Sequence, residues 1–195
     1  MSEERKIQIV EEAFALFSKA GYGRMRVKEL ASIIGISEAA IYKYFSSKEE
    51  IYDAVLASIK GRVDLDSLFE SIKEEEDIEV ILRAIAENIL VLYTEDQRAT
   101  RLLLYSSLEG HALARKVFDA VRIPYVEFLA KKISKLSKAG ILQDVNPIIT
   151  ARCFVGMVFD CSLNLNLWKG MAGKPYQPNM LINNNIPIYV RGLIK

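Results

Sequence analysis

LASIIGISEAAIYKYF, residues 30–45, is the stretch on which the reading of this chain turns. Ala31 precedes Gly35 by four positions and Ile41 follows it by six. Glycine enters the left-handed backbone region without the clash a Cβ brings, so Gly35 can close one helix and turn the chain. Ser37 is then placed to cap the next helix, its hydroxyl accepting from a backbone N–H in the first turn. The small Ala31 lets that second helix cross closely, while Ile36 and Ile41 seal its underside. Two short helices joined by a tight glycine turn make a helix-turn-helix, whose second helix can lie in the major groove of DNA.

The opposite face of that second helix therefore carries the chemistry. Ser37, Glu38, Ala40 and Lys43 project away from the Ile41 and Phe45 side, with Ala39 among them, and can approach base edges. A carboxylate such as Glu38 can accept from the N4 amine of a cytosine. Tyr42, Tyr44 and Lys48 fall where phosphates would flank the helix; a phenol donates without a charge, and a lysine neutralises. Phe45 continues the Ile41 face and belongs to the core. Between Gly21 and Lys48 the cations Arg24, Arg26, Lys28, Lys43 and Lys48 outnumber Glu29 and Glu38, 5 − 2 = +3, against +1 for the whole chain. Attraction to a polyanion thus rests on a local patch.

Outward from this core the helical period persists. Ile7, Val10, Phe14 and Phe17 predict an amphipathic helix over about residues 3–20, halted by Gly21 and Gly23. Helices are predicted over about 27–34 and from Ser37 to about Tyr44. Ser47, Lys48, Glu49 and Glu50 match a capping box that opens a fourth helix to about Arg62. Residues 67–77 are acidic and weakly patterned. Beyond them come helices from about Ile78 to Tyr93, Gln97 to Leu108, and His111 to Gly140, with a kink or new start at Pro124. Asn146 and Pro147 cap and open a long apolar helix over about 147–169, GMAGKPYQP forms a loop, and a last helix covers about 180–193. The expected fold is all-α: a three-helix domain over residues 1–62, with its helix-turn-helix at about 27–46, and a larger helical domain over 63–195.

Composition excludes several functions. An apolar share of 51% with 26% charged residues describes a globular protein. Cys153 and Cys161 have no metal or disulfide spacing and are expected to be buried thiols in a reducing cytoplasm. The start, MSEERKIQIV, has no apolar run of signal-peptide length. Ile148 to Trp168 is apolar but holds Arg152, Asp160, Asn164 and Asn166, which are costly in lipid, so no membrane is expected. His111 is the only histidine, and no nucleophile or metal-ligand pattern accompanies it. An enzyme, a metal site and a bound cofactor are therefore not expected. Among the aromatic and apolar residues, Tyr105, His111, Phe118, Phe128, Phe154, Met157 and Trp168 are candidates to line a cavity between helices.

The run from Ile7 to Ile51 resembles the DNA-binding domain of the TetR family of bacterial transcriptional regulators. The resemblance lies in Ala13, Phe14 and Phe17, in Gly21-Tyr22, in Leu30-Ala31 with Gly35-Ile36-Ser37, and in Ile41-Tyr42, Tyr44-Phe45, Lys48-Glu49 and Ile51. It implies a homodimer that binds a palindromic operator and releases it when a small molecule enters the C-terminal domain. It carries DNA contacts to Arg26, Val27, Ser37, Tyr42, Tyr44 and Lys48, and dimerisation to the last two helices. Met25 stands where the family usually has threonine, Ala39 where glycine is frequent, and Tyr44 where histidine is frequent. These departures bear on operator sequence. The alternative reading is a nucleoid or division factor that binds DNA and acts through protein partners, without an inducer.

Overall fold

A computed structural model describes residues 2–62, 64–109, 112–167 and 177–195. Among the described residues, eleven α-helices follow in chain order: α1 (Glu3–Arg24), α2 (Val27–Ile34), α3 (Glu38–Ile41), α4 (Lys48–Arg62), α5 (Leu65–Ser71), α6 (Ile78–Glu95), α7 (Gln97–Glu109), α8 (Ala112–Val121), α9 (Ile123–Lys138), α10 (Pro147–Asn166) and α11 (Pro178–Leu193). Among the described residues the only extended pairing is an isolated antiparallel bridge between Leu142 and Ile194. The chain packs as two compact units, residues 1–63 with 98–120, and residues 64–97 with 121–195. Which residues meet DNA is a separate question from this packing, which adds 98–120 to the N-terminal helices.

In the first unit α1 packs on α4 and α2. Ile9, Phe14, Phe17, Leu30, Ile41, Phe45, Ile51, Tyr52 and Val55 form its buried core. Each such side chain contributes about 1.5–3 kcal/mol of apolar burial. The Tyr52 ring meets Phe17 edge-on at 4.9 Å and Tyr22 at 5.2 Å, the T-shaped arrangement that ring quadrupoles favour. The predicted stop at Gly21 takes the form of an interruption: Gly21 has φ +81° and ψ 172°, and helix resumes to Arg24.

In the second unit α6 is the central helix, packed against α10, α11 and α9. Ile81, Leu82, Ile85 and Ile89 bury its wide apolar stripe. Pro124 sits in the first turn of α9, where a missing N–H costs nothing, and Arg122 separates α8 from α9. Helix α5 forms in a stretch that the pattern left unassigned. Asp64 initiates it, its carboxylate accepting from the Ser67 N–H at 2.9 Å. Lys132 is buried, and its ammonium donates to the carbonyls of Lys73 and Glu75, closing the acidic turn beyond α5. The last helix begins at Pro178, slightly before the expected Met180, because proline suits the first helical position.

Helix α10 corrects the expectation about cysteine. Ala151, Phe154, Val155, Val158, Phe159 and Ser162 turn into the unit, so Cys153 is exposed and Cys161 only partly covered. One described helix, Pro147–Leu165, is long and apolar enough to cross a membrane. Its inner side is core, and its outer side carries exposed Arg152 and Asp160.

Candidate nucleic-acid interface

The turn forms as its residues require. Gly35 adopts φ +75° and ψ 34°, and the Ile36 N–H reaches back to the Ala31 carbonyl at 3.0 Å, which satisfies a helix-end acceptor. Ser37 Oγ accepts from the Ala40 N–H at 3.1 Å and starts α3. Helix α3 is shorter than the predicted run to Tyr44. Beyond Ile41 the chain tightens into turns, with the N–H groups of both Tyr44 and Phe45 donating to the Ile41 carbonyl at 2.9 and 3.2 Å. Aromatic residues lose side-chain freedom in a helix, and the buried Phe45 anchors the chain before the next cap.

The expected capping box is also displaced. Ser47 Oγ accepts from the Glu50 N–H at 3.1 Å, but the Glu50 carboxylate reaches back to the N–H and hydroxyl of Ser46 at 2.6 and 2.7 Å. Those donors hold the Glu50 carboxyl below its ordinary range.

Most of the candidate contact residues are open to solvent. Arg26, Lys28, Ser37, Glu38, Ala39, Tyr42 and Lys43 are exposed, and Ala40 and Tyr44 partly so. Val27 differs: its side chain is buried, so only its backbone N–H, in the first turn of α2, can meet an anion. Arg26 precedes α2 in extended backbone without a side-chain cap bond, and Met25, where a threonine would cap, is buried. Lys48 is half-buried, its ammonium 4.4 Å from the centre of the Tyr22 ring, and this desolvation lowers its proton affinity.

What sequence reasoning missed is the attachment of α7 and α8 to these helices. Arg98 pairs with Glu11 at 3.4 Å and lies over the Phe14 ring, and Arg101 Nε donates to the Ser18 carbonyl at 3.1 Å. The Tyr52 hydroxyl shares a buried 2.7 Å hydrogen bond with Ser106 Oγ. Burial pushes the Tyr52 phenol up to about 12. Lys116 bridges Glu49 and Asp53, each at 3.0 Å. At the end of α7 the Glu109 carboxylate accepts from the N–H groups of Tyr22 and Gly23, both at 3.0 Å. Two residues 87 positions apart carry no periodic signal that joins them.

The cavity candidates belong to both units. Tyr105 and Phe118 lie in the first unit, and Phe128, Phe154 and Met157 in the second. Phe128 stacks on Phe69 at 4.4 Å, whereas Phe154 meets Tyr189 edge-on at 5.1 Å and the Met157 sulfur accepts from Asn185 at 3.3 Å. His111 and Trp168 lie outside the described residues. Beside Phe128, Tyr125 donates its hydroxyl to Asn88 Oδ1 at 2.5 Å and meets Phe69 edge-on, a polar pair within an aromatic cluster. Among the described residues no group of three or more His, Cys, Asp or Glu is placed to hold a metal.

Residues 9–55 match the family model for bacterial regulatory proteins of the tetR family. The nucleoid occlusion factor SlmA of Glaesserella parasuis is 32% identical over 158 residues, spanning 80% of this chain and 71% of that protein. The HTH-type transcriptional regulator YhgD of Bacillus subtilis is 24% identical over 169 residues, 82% of this chain and 85% of its own. In fold, the chain is similar to the transcriptional regulator FadR of Bacillus subtilis, solved with stearoyl-CoA. That match has a TM-score of 0.75 and 19% identity, and covers 95% and 98% of the two chains. A regulator from Saccharomonospora viridis solved with choline matches at a TM-score of 0.74 and 18% identity over all of both chains.

Proposed function

Because this chain belongs to the TetR family of bacterial regulatory proteins and is a DNA-binding transcriptional regulator, we propose that it is a repressor released from its operator by a small apolar ligand. The observation that carries the reading is the turn at Gly35, after which Ser37, Glu38, Ala39, Tyr42 and Lys43 are exposed while Ile41 is buried, with Arg26 and Lys28 exposed before it. Residues 1–62 form the DNA-binding domain and residues 63–195 the effector-binding and dimerisation domain. Ser37, Glu38, Ala39, Ala40 and Lys43 read base edges; Arg26, Lys28, Tyr42, Tyr44, Lys48 and the backbone of Val27 hold phosphates. No catalytic residue, metal or cofactor enters this mechanism, and binding to the chromosome places the protein in the cytoplasm.

Operator binding requires a two-fold protein, since half-sites lie about 34–36 Å apart. The partner surface is the outer side of α10 and α11. Ile148, Ile149, Met180 and Ile188 are all exposed on these helices, apolar surface that a single chain leaves wet. The ligand enters the second unit, where the cluster of Phe69, Tyr125, Phe128 and Phe159 offers apolar walls and the Asn88–Tyr125 pair a polar anchor. FadR of Bacillus subtilis, solved with stearoyl-CoA, recommends long-chain acyl thioesters as the first probes. Ligand need favour the DNA-free state by only a few kcal/mol.

The test is fluorescence anisotropy on DNA selected by the protein itself, with and without acyl thioesters, alongside sedimentation. A dimer whose DNA complex dissociates on adding ligand is expected; a monomer at micromolar concentration sinks the interface. Similarity to a nucleoid occlusion factor favours a second reading, a DNA-bound factor acting through protein partners. A DNA complex indifferent to every apolar ligand, with a filled second unit, selects that reading.

A further inference from the structure

Lys48 is assigned above to a DNA phosphate, yet its ammonium lies elsewhere. It rests 4.4 Å from the centre of the Tyr22 ring, at the first residue of α4. That ring is fixed, stacked on Phe17 at 5.9 Å and edge-on to Tyr52 at 5.2 Å. The backbone beneath it is fixed too, because the N–H groups of Tyr22 and Gly23 both donate to the Glu109 carboxylate. The negative charge of Glu109 favours the protonated amine of Lys48, opposing the burial that disfavours it. Ring and carboxylate thus stabilise the cation from two directions, by cation–π attraction and by opposite charge.

An ammonium seated on Tyr22 and one extended to a phosphate are alternative positions of the same side chain. We propose that Tyr22 and Glu109 form a resting cradle for Lys48 that competes with DNA, so that Glu109, carried on α7, restrains DNA affinity. The proposal rests on the DNA-binding reading of Lys48 and adds a regulator to it. Both halves of the cradle depend on α7. Glu109 supplies one directly and holds the glycine turn that aims the other. Helix α7 is itself tied to α1 and α4 through Arg98, Arg101 and Ser106. Displacing its end from the turn removes the charge and loosens the ring together, and Lys48 becomes available to a phosphate.

The test is a double-mutant cycle read by DNA affinity across a salt titration. Glu109→Gln keeps the length of the side chain and an acceptor oxygen but removes the charge. On a mixed-sequence duplex it is expected to tighten binding about threefold, the scale of one lost charge interaction at a partly exposed lysine. The slope of log affinity against log salt should stay unchanged, because Lys48 meets its phosphate in either complex and only the cost of leaving the cradle differs. In a Lys48→Ala background the same substitution should change neither. An equal gain in both backgrounds would mean that Glu109 acts only through net charge, and a loss of affinity that it serves only to hold the fold; either overturns the proposal. If Glu109→Gln does not fold, Tyr22→Leu removes the ring and should give the same sign, again only when Lys48 is present. If the unaltered protein binds no duplex at any salt, the regulator reading itself fails. The cradle is then judged by NMR of the Lys48 ammonium: a lowered proton affinity in Glu109→Gln supports it, an unchanged one refutes it.

Discussion

Two glycines of the N-terminal helices hold left-handed backbone for different reasons. Gly35, at φ +75°, would meet nothing within 4 Å if it carried a Cβ. Gly21, at φ +81°, would place that Cβ 2.3 Å from a carboxylate oxygen of Glu109. The first turn is a matter of backbone conformation alone and faces outward, between α2 and the groove-reading residues. The second is conformation and docking together: its lack of a side chain makes room for an acidic group from α7, and its neighbours donate to that group. A single residue type thus serves one turn that presents a surface and another that receives a helix.

Alanine at the two positions should separate these roles. Gly21→Ala carries the largest expected effect. Its backbone, at ψ 172°, lies in a region used almost only by glycine, and the new methyl would also displace Glu109. A loss of about 2–3 kcal/mol follows from the strain and the lost bonds, discounted for exposure, and urea unfolding should report it. Gly35→Ala should cost about 1–2 kcal/mol, the left-handed penalty with no clash added. Gly35→Asn should recover most of that loss, since asparagine tolerates this region. If Gly35→Ala proved as costly as Gly21→Ala, the claim that only one turn is a receptacle would fail.

The next effect probes how α7 is held beside the receiving turn. Tyr52→Phe deletes the buried hydrogen bond to Ser106 and should cost about 0.5–1.5 kcal/mol at neutral pH. Its pH dependence has a definite sign. Burial raises the Tyr52 phenol from 10.0 to about 12 in the folded protein, so the folded state holds this proton more tightly than the unfolded chain does. The associated stability is complete below pH 10 and is lost as pH rises toward 12. Denaturation across that window should show a steeper decline in the unaltered protein than in Tyr52→Phe. Parallel declines would mean that the phenol is not held neutral by folding.

The same contrast explains how far the sequence could be read. Everything at Gly35 is local: the glycine, Ser37 two residues on, and the apolar spacing from Leu30 to Ile41 all lie within one short stretch. The bounds of α2 and both caps were accordingly legible. What failed nearby failed on rules of similar range but smaller energy, as when Glu50 capped back to Ser46 rather than Ser47. The receiving turn was half legible. Gly21 and Gly23 announced a break, but nothing near them named Glu109, Arg101 or Ser106, because side-chain pairing across such separations has no period. Cys153 was misread for a related reason. Its helix leaves Ile148 and Ile149 exposed beside Arg152 and Asp160, and composition alone does not say which apolar side is covered.

The smallest effect belongs to the presenting side. Tyr42 is 45% exposed just after α3, and its hydroxyl is assigned to a phosphate rather than to the fold. Tyr42→Phe should therefore leave urea unfolding unchanged while weakening DNA binding about threefold, the scale of one hydrogen bond that water can partly replace at an exposed site. A phosphate carries no sequence information, so the loss should be the same on an operator and on unrelated duplex. The salt slope should not move, because no charge has been removed. A loss confined to one sequence would instead make Tyr42 a reader of bases, beside Lys43 in the turn that follows α3. A loss of stability would make it part of the core that Phe45 anchors, and would leave the presenting side with fewer phosphate contacts than its exposed face provides.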